Sequence, residues 1–503
     1  MTRNSLERRK VFFGRLASLS VIAFVVALAL LSAACNNVNL TGEGGGTVSL
    51  AIDEVLASEI RSAIPAPLRS TTGDNSTYTL TASIRGDYSE EKTEFATEAS
   101  LSGVTFTFKG IPTGKDIILD VTVKVGDNTI WYGNSGKHMV VSGINKLNVA
   151  VGRVSGVLLW NNDSVKIAPY GKHEEAGTKV LDVPDVLPSW CFDHLRNLYV
   201  ITSTGVSMYD SQGDGTYYST PSNFIGSDFS YLSYDSDSRT TLYGMSTSQI
   251  SKLIANSPSE PIINSLSNHG INTPVGFAVH GGSAYVADQS SEDDNGIPSI
   301  TISSFNLTTQ DFTLGIAFKL PTVFGSQPTY QMIYQEGALY LLLSCVKDSA
   351  PNIYSVGAVA KIDAKTLTLD TSFGTNGYLG LVSTKREVSY KDSSGQDQSY
   401  SVYAAGNSTE EVFSKPLGFV AIMPKKLVIA DAGCIVSEEI VDQGGVSKLK
   451  GDAVSRIVTV DLETQSLGFD DLNPNQYYWT GNPLGSSVEI SSDTSSDTSS
   501  SSF

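Results

Sequence analysis

Cysteine, histidine and methionine are all scarce in this 503-residue chain, at four, five and six copies. Cys35 stands near the start, and Cys191, Cys345 and Cys434 follow at spacings of 154 and 89. No CxxC pair occurs, so the pattern supports neither a zinc site nor a disulfide framework. The three later cysteines lie in or beside apolar segments and read as small buried hydrophobes. Helical periodicity is nearly missing; only Asp53 to Ile64 carries it. Basic residues are outnumbered 34 to 52, a net charge of −18, which argues against nucleic acid as a partner. After Cys35 no apolar run approaches the roughly 18 residues of a membrane helix. No G-x-S-x-G elbow, H-E-x-x-H helix or Walker loop is present. Gly44-Gly45-Gly46 reads as linker and Gly133 to Lys137 as a hairpin turn, not as phosphate loops.

What is present begins at the N-terminus. Arg8, Arg9, Lys10 and Arg15 precede an uncharged apolar run from Leu16 to Leu31, which ends in Ser32-Ala33-Ala34-Cys35. A basic patch, an apolar core and small residues make a secretory signal. The residues before Cys35 resemble the lipobox of bacterial lipoproteins, although Ser32 stands where leucine is usual. That resemblance implies a leader of residues 1–34 and lipidation of Cys35. The body would then be held in the bacterial cell envelope, most naturally at the outer membrane, facing the periplasm or the exterior. An ordinary signal peptide and a single anchoring helix are the competing readings. Without its leader the chain has 469 residues and a net charge near −22.

Residues 35–46 form a polar, Gly-rich tether and 486–503 a Ser-rich tail expected to be disordered. Between them, short alternating runs separated by Gly, Asn, Asp and Ser predict an all-β protein. About seven strands over residues 47–152 predict a β-sandwich. There Phe108 to Gly114, followed by Ile117 to Val121, resembles transthyretin-like and Ig-like modules.

Beyond Arg153 an internal repeat decides the architecture. Pro274-Val-Gly-Phe277-Ala-Val-His280 followed by Ala284 to Asp288 matches Pro416-Leu-Gly-Phe419-Val-Ala-Ile422 followed by Leu427 to Asp431. Weaker copies start at Pro188 and Pro328, and others include Leu242-Tyr243 and Val157 to Trp160. Taking second strands at 159, 199, 243, 285, 340 and 428 gives intervals of 40 to 44, then 55 and 88. A unit of about 40–45 residues is one four-stranded propeller blade. Several copies close in an Asp or Asn followed three residues later by Thr: Asn306, Asp363 and Asp461. Such a side chain bonds its own backbone and stops the strand.

These repeats resemble NHL-repeat-like β-propellers over residues 153–485, in which the first strand lines the channel and the second carries a tyrosine. Six blades are expected. The interval of 88 hides either a seventh or an inserted hairpin around Val388 to Ala404, and the charged, Ser-rich sequence favours the insertion. Leu369-Asp370-Thr-Ser-Phe373-Gly374 is similar to an element of another bacterial propeller repeat. Phe277 and Phe419 should be buried between blades, and Tyr477 to Trp479 should close the ring beside Val157 to Trp160.

Chemistry-bearing residues are few. His194 and His280 both fall six residues after the proline of their repeats and would lie at one height in the ring. NHL-type lyases gather channel histidines around a metal, but here no third ligand has the right register. Asp210 and Asp214, together with Asp293 and Asp294, sit in acidic loops of the kind that bind Ca²⁺, without the spacing of an EF-hand; solvated turns are the favoured reading. No catalytic residue and no cofactor is expected. The sequence therefore points to a lipid-anchored, non-enzymatic propeller that binds a protein or glycan. A channel-metal hydrolase or lyase and a periplasmic assembly scaffold are the alternatives.

Overall fold

The computed structural model describes residues 45–490 except 64–76, 98, 126–127, 148, 155–156, 161–163, 169–177, 183–188, 194–196, 203–204, 212–216, 225–228, 236–240, 291–296, 325–327, 348–351, 383–385, 392–395, 404–410, 444–445 and 472–487. Cys35 and Tyr477 to Trp479 therefore lie outside the described residues. The chain is almost entirely β. Among the described residues no helix is long and apolar enough to cross a membrane.

The N-terminal unit comprises β1 (Gly46–Ala51), α1 (Glu54–Ala63), β2 (Thr77–Gly86), β3 (Glu90–Thr97), β4 (Thr105–Ile111), β5 (Asp116–Val125), β6 (Asn128–Asn134), β7 (His138–Met139), β8 (Gly143–Lys146) and β9 (Ala150–Arg153). Two sheets, β4-β1-β8 and β3-β2-β5-β6-β9, enclose one core that includes Val48, Leu80, Phe106, Phe108, Val121 and Trp131. Strict alternation along β2 sends Tyr78, Leu80, Ala82 and Ile84 inward. The expected helix forms because Asp53 Oδ1 accepts the Leu56 N–H (2.9 Å), an N-cap, while Ala57 and Ile60 face the core. Two expectations shift. β1 begins at Gly46, one residue inside the expected tether, because a side chain at Gly45 or Gly46 would collide with Gly110 or Val140. The Gly133 to Lys137 turn is not a hairpin, since β6 and β7 both pair with β5.

Six further sheets follow among the described residues. The first is β10 (Val157–Trp160), β11 (Ser164–Ala168) and β12 (Thr178–Asp182). The second is β13 (Trp190–Phe192), β14 (Leu198–Thr202), β15 (Gly205–Ser211) and β16 (Tyr217–Phe224). The third is β17 (Tyr231–Tyr234), β18 (Leu242–Met245), β19 (Ile250–Leu253) and β20 (Glu260–Ile263). The fourth is β21 (Pro274–His280), β22 (Ser283–Gln289), β23 (Ser299–Asn306), β24 (Phe312–Leu314) and β25 (Phe318–Lys319). The fifth is β26 (Thr329–Gln335), β27 (Ala338–Lys347), β28 (Asn352–Asp363), β29 (Thr368–Leu369) and β30 (Tyr378–Leu379), extended by the hairpin β31 (Arg386–Lys391) and β32 (Asp397–Tyr403). The sixth is β33 (Pro416–Met423), β34 (Lys426–Gln443), β35 (Val446–Asp461) and β36 (Ser466–Asp471), with β37 (Val488–Ile490) beside β35.

Each sheet is an antiparallel meander, and the first strands of successive sheets pack side by side: β13 on β17, β17 on β21 and β21 on β26. The sixth sheet meets the fifth through β27 and the first through β10. The Trp190 indole N–H donates to the Phe419 carbonyl (2.9 Å) and links the second sheet to the sixth. Gly418 permits this contact, because a side chain there would strike the Trp190 ring or Gln331. This is the arrangement of a propeller. The expected second-strand positions at 199, 243, 285, 340 and 428 do lie on second strands, whereas 159 lies on β10, the first of its sheet. The stretch around Val388 is a hairpin, with β32 parallel to β28. Val488–Ile490, inside the tail expected to be disordered, pairs with β35 because Val488 and Ile490 give it a strand's period of two.

Candidate binding face

Antiparallel meanders place the first-to-second and third-to-fourth turns of every sheet at one face of the ring. The second-to-third turns and the entry to each first strand lie at the other. The two faces differ sharply.

The turn face carries the N-terminal unit. Arg85 pairs with Asp120 of its own unit and reaches Asp461 in the β35–β36 turn (Nη2 to Oδ2, 2.6 Å). Asp120 also accepts the Tyr132 hydroxyl proton and a bond from the Asn134 amide (2.6 Å). The Lys426 ammonium lies 4.5 Å from the Tyr132 ring centroid, and burial holds its pKa below the ordinary value. Next to it the Lys425 ammonium bridges Glu336 and Glu463 (2.8 and 2.9 Å), and Glu463 accepts the Lys137 backbone N–H (3.1 Å). Burial raises the Glu463 pKa, but bonds from Lys425 and Lys137 outweigh it and leave the carboxyl below its ordinary range.

The repeat's polar residues prove architectural. Asp288, at the end of β22, accepts the backbone N–H groups of Asn272 and Thr273 (3.0 and 2.6 Å), and Asp431 likewise takes those of Ser414 and Lys415. Each Ala-Asp ending thus ties down the chain that enters its own first strand. Asn306, Asp363 and Asp461 each accept N–H bonds from two and three residues ahead, forming the expected turns. The second-strand tyrosines fill seams between sheets. Tyr199 stacks on Tyr234 and Tyr285 on Tyr334, with centroids 6.2 and 6.1 Å apart. Phe277 packs into the seam with the third sheet and Phe419 into that with the fifth.

The candidate ligands do not come together. His280 ends β21 on the turn face, its ring stacked on Tyr334. His194 lies outside the described residues. Asp210 is on β15, paired in register with Tyr218, and Asp214 lies outside the described residues, as do Asp293 and Asp294. Strands β22 and β23, which flank the last two, end on the entry face, opposite His280. Among the described residues no group of three potential metal ligands occurs. Burial first, and then the Asp193 charge, pushes the Cys191 thiol well above its usual pKa, so it stays protonated.

The entry face carries the projections. β34 pairs with β33 only from Lys426 to Asp431, yet runs on to Gln443, with β35 returning beside it. Its twelve residues beyond Asp431 span about 40 Å at a strand's rise. Among the described residues this upper part pairs with β35 alone. The β31–β32 hairpin rises at the same face, against the start of β28. The sequence does not reveal this arm: the repeat ends its second strand at Asp431, and the mixed run from Ala432 to Val441, broken by Ser437, Glu438 and Glu439, does not give the level at which a strand leaves its sheet.

No family model matches the chain, and a search of curated proteins finds no match. Among solved structures, the chain is similar to a quinoprotein alcohol dehydrogenase-like protein from Bacteroides thetaiotaomicron, with 13% identity and TM-score 0.30, over 86% of this chain and 96% of that one. It is similar to the Nup133 β-propeller domain of Vanderwaltozyma polyspora, with 10% identity and TM-score 0.26, over 72% and 98%. It is also similar to an inactive virginiamycin B lyase from Staphylococcus aureus, with 10% identity and TM-score 0.26, over 62% and 88%. Likenesses this distant say nothing about activity, and the ring rests on the strand topology.

Proposed function

We propose that the protein is a lipid-anchored component of a bacterial cell envelope, built as a β-sandwich and a six-bladed NHL-like propeller, that captures a protein partner without chemistry of its own. The observation that carries this reading is the arm of β34 and β35 on the face away from the N-terminal unit, whose outer strand pairs on one side only among the described residues. An unpaired strand edge offers a row of N–H and C=O groups to an extended segment of another chain. That favours a protein over a glycan. The anchor rests on the basic, apolar and small-residue series that ends in Cys35.

Two experiments test the two halves. Cys35→Ala should move the protein from the membrane to the soluble fraction; a variant that stays membrane-bound and uncleaved is held by a helix instead. Excising 434–453 and closing the strands with an Asn-Gly turn should keep the ring's melt. It should abolish pull-down of partners from the protein's own envelope extract. Partners captured equally well without the arm would overturn the binding assignment.

A further inference from the structure

The N-terminal unit exposes apolar side chains where its fold gives them nothing to cover. Met139, Val141 and Ile144 are 58%, 52% and 71% exposed, all within the β7–β8 segment. This segment is pinned and held in one shape. The buried Asn145 side chain accepts the Val141 N–H (2.9 Å) and donates to the carbonyls of Val141 (2.9 Å) and Gly143 (3.3 Å). It also bonds the His138 ring (3.1 Å) and the Thr47 carbonyl (3.4 Å). Gly143 turns the chain with φ of 91°, in the region that favours glycine. The three apolar side chains are therefore displayed from a rigid tip.

Two further observations say what the tip meets. The chain enters the N-terminal unit beside it: Gly46 pairs in register with Gly143 and Thr47 with Ile144. Only the residues from Asn36 to Gly45 separate that point from Cys35. Around the tip Lys109, Lys115, Lys137 and Lys146 are all exposed, against Asp87, Asp116 and Glu463, of which Asp116 pairs with the Lys137 ammonium (2.8 Å) and Glu463 accepts the Lys137 backbone N–H (3.1 Å). This local excess of positive charge occurs in a chain of net charge −18. Apolar side chains ringed by lysine, next to an acyl anchor, match an anionic lipid surface.

We infer that the Met139–Ile144 tip inserts into the anionic lipid surface to which the chain is anchored, fixing how the ring is presented. The inference rests on the lipid-anchor reading. The tip belongs to the unit that docks on the turn face, the face opposite the arm. Insertion of a few apolar side chains gives weak binding alone and becomes effective when a tether holds the surface within reach.

Met139→Trp in the full chain tests it, in vesicles of phosphatidylethanolamine and phosphatidylglycerol with and without bromine on the acyl chains. After subtraction of the unchanged chain, the added indole should emit at shorter wavelength and be quenched by brominated lipid. Leu314→Trp, on the outer part of the fourth sheet, should not be quenched. Replacing Val141 and Ile144 by serine in the Met139→Trp chain should abolish the quenching while leaving the melt unchanged, since both are exposed. A chain that floats with the vesicles but shows no quenching at position 139 overturns the inference and leaves the anchor standing. A chain that carries no acyl group refutes the anchor instead. The same vesicles are then added to that soluble chain, where quenching still supports the tip and its absence overturns it.

Discussion

Arg456 and Asp431 form an ion pair with neither side chain exposed, Nε to Oδ2 at 2.9 Å. Arg456 also donates to the Val412 carbonyl (2.6 Å), and its guanidinium carbon lies 4.2 Å from the Phe469 ring centroid. Burial pushes the Asp431 carboxyl above its ordinary pKa, while Arg456 and the N–H groups of Ser414 and Lys415 pull against it. One third-strand arginine thus satisfies a second-strand aspartate and fastens the loop that opens the sheet. Asp288 holds the corresponding loop in the fourth sheet, with Thr301 opposite it in register.

Arg456→Met should therefore be far more damaging than its position near the chain's end suggests. It strands a buried carboxylate, a loss of about 3–5 kcal/mol, whereas adding Asp431→Asn removes the stranded charge and restores part of the stability. Urea unfolding of the two variants checks this; equal losses would show that the pair is not what holds the loop.

The seams make a second prediction. Phe277 and Phe419 are 2% and 4% exposed and each packs against the preceding sheet. Phe277→Ala or Phe419→Ala should cost about 3–5 kcal/mol, read as a lower denaturation midpoint. Polar links cross these two seams and a third: the Ser233 hydroxyl oxygen accepts the Val279 N–H, the Gln331 carbonyl oxygen the Phe419 N–H, and, between the second and third sheets, the Ser189 hydroxyl oxygen the Leu232 N–H. Loss of one phenylalanine should therefore lower the whole ring's midpoint in a single transition.

The repeat was legible because it is local. Pro-x-Gly, the apolar strand and Ala-Asp lie within about sixteen residues, and each copy folds on itself as a hairpin. The junction between the two units was not legible. Arg85 and Asp461 are 376 residues apart, and each alone reads as an ordinary surface charge. β3 was missed for another reason: Glu90–Thr97 has only Ala96 buried, so an edge strand there carries almost no apolar alternation. His194 and His280 looked equivalent by register, and register cannot show that the His280 ring spends its face on Tyr334.

Acid should loosen the junction at a definable point. The folded Glu463 pKa lies below its ordinary value of 4.5, so its contribution is present above that pH and is lost as pH falls through the lower, folded value. Melting temperatures of the parent and Glu463→Gln, measured from pH 6 down to 3.5, should converge at the acid end. Asp363 and Asp370, whose pKa values are also held low by hydrogen bonds, titrate in both proteins and cancel. Parallel curves would remove Glu463 from the junction.

The Arg85–Asp461 contact itself can be weighed by a double-mutant cycle. Their side chains are 30% and 11% exposed, so water screens the pair only in part. Asp461 also accepts the N–H groups of Glu463 and Thr464 (3.1 and 2.9 Å), so Asp461→Ala alone breaks a turn as well as a bridge. Arg85 in turn pairs with Asp120, so Arg85→Ala alone also takes the cation from that carboxylate and leaves it only the Tyr132 and Asn134 bonds. The cycle subtracts both side effects and leaves the link between the units. A coupling of about 0.5–3 kcal/mol is expected for residues in direct contact. A value near zero would mean that this pair does not hold the N-terminal unit to the ring and that the Lys137–Glu463 and Lys426–Tyr132 contacts carry the junction.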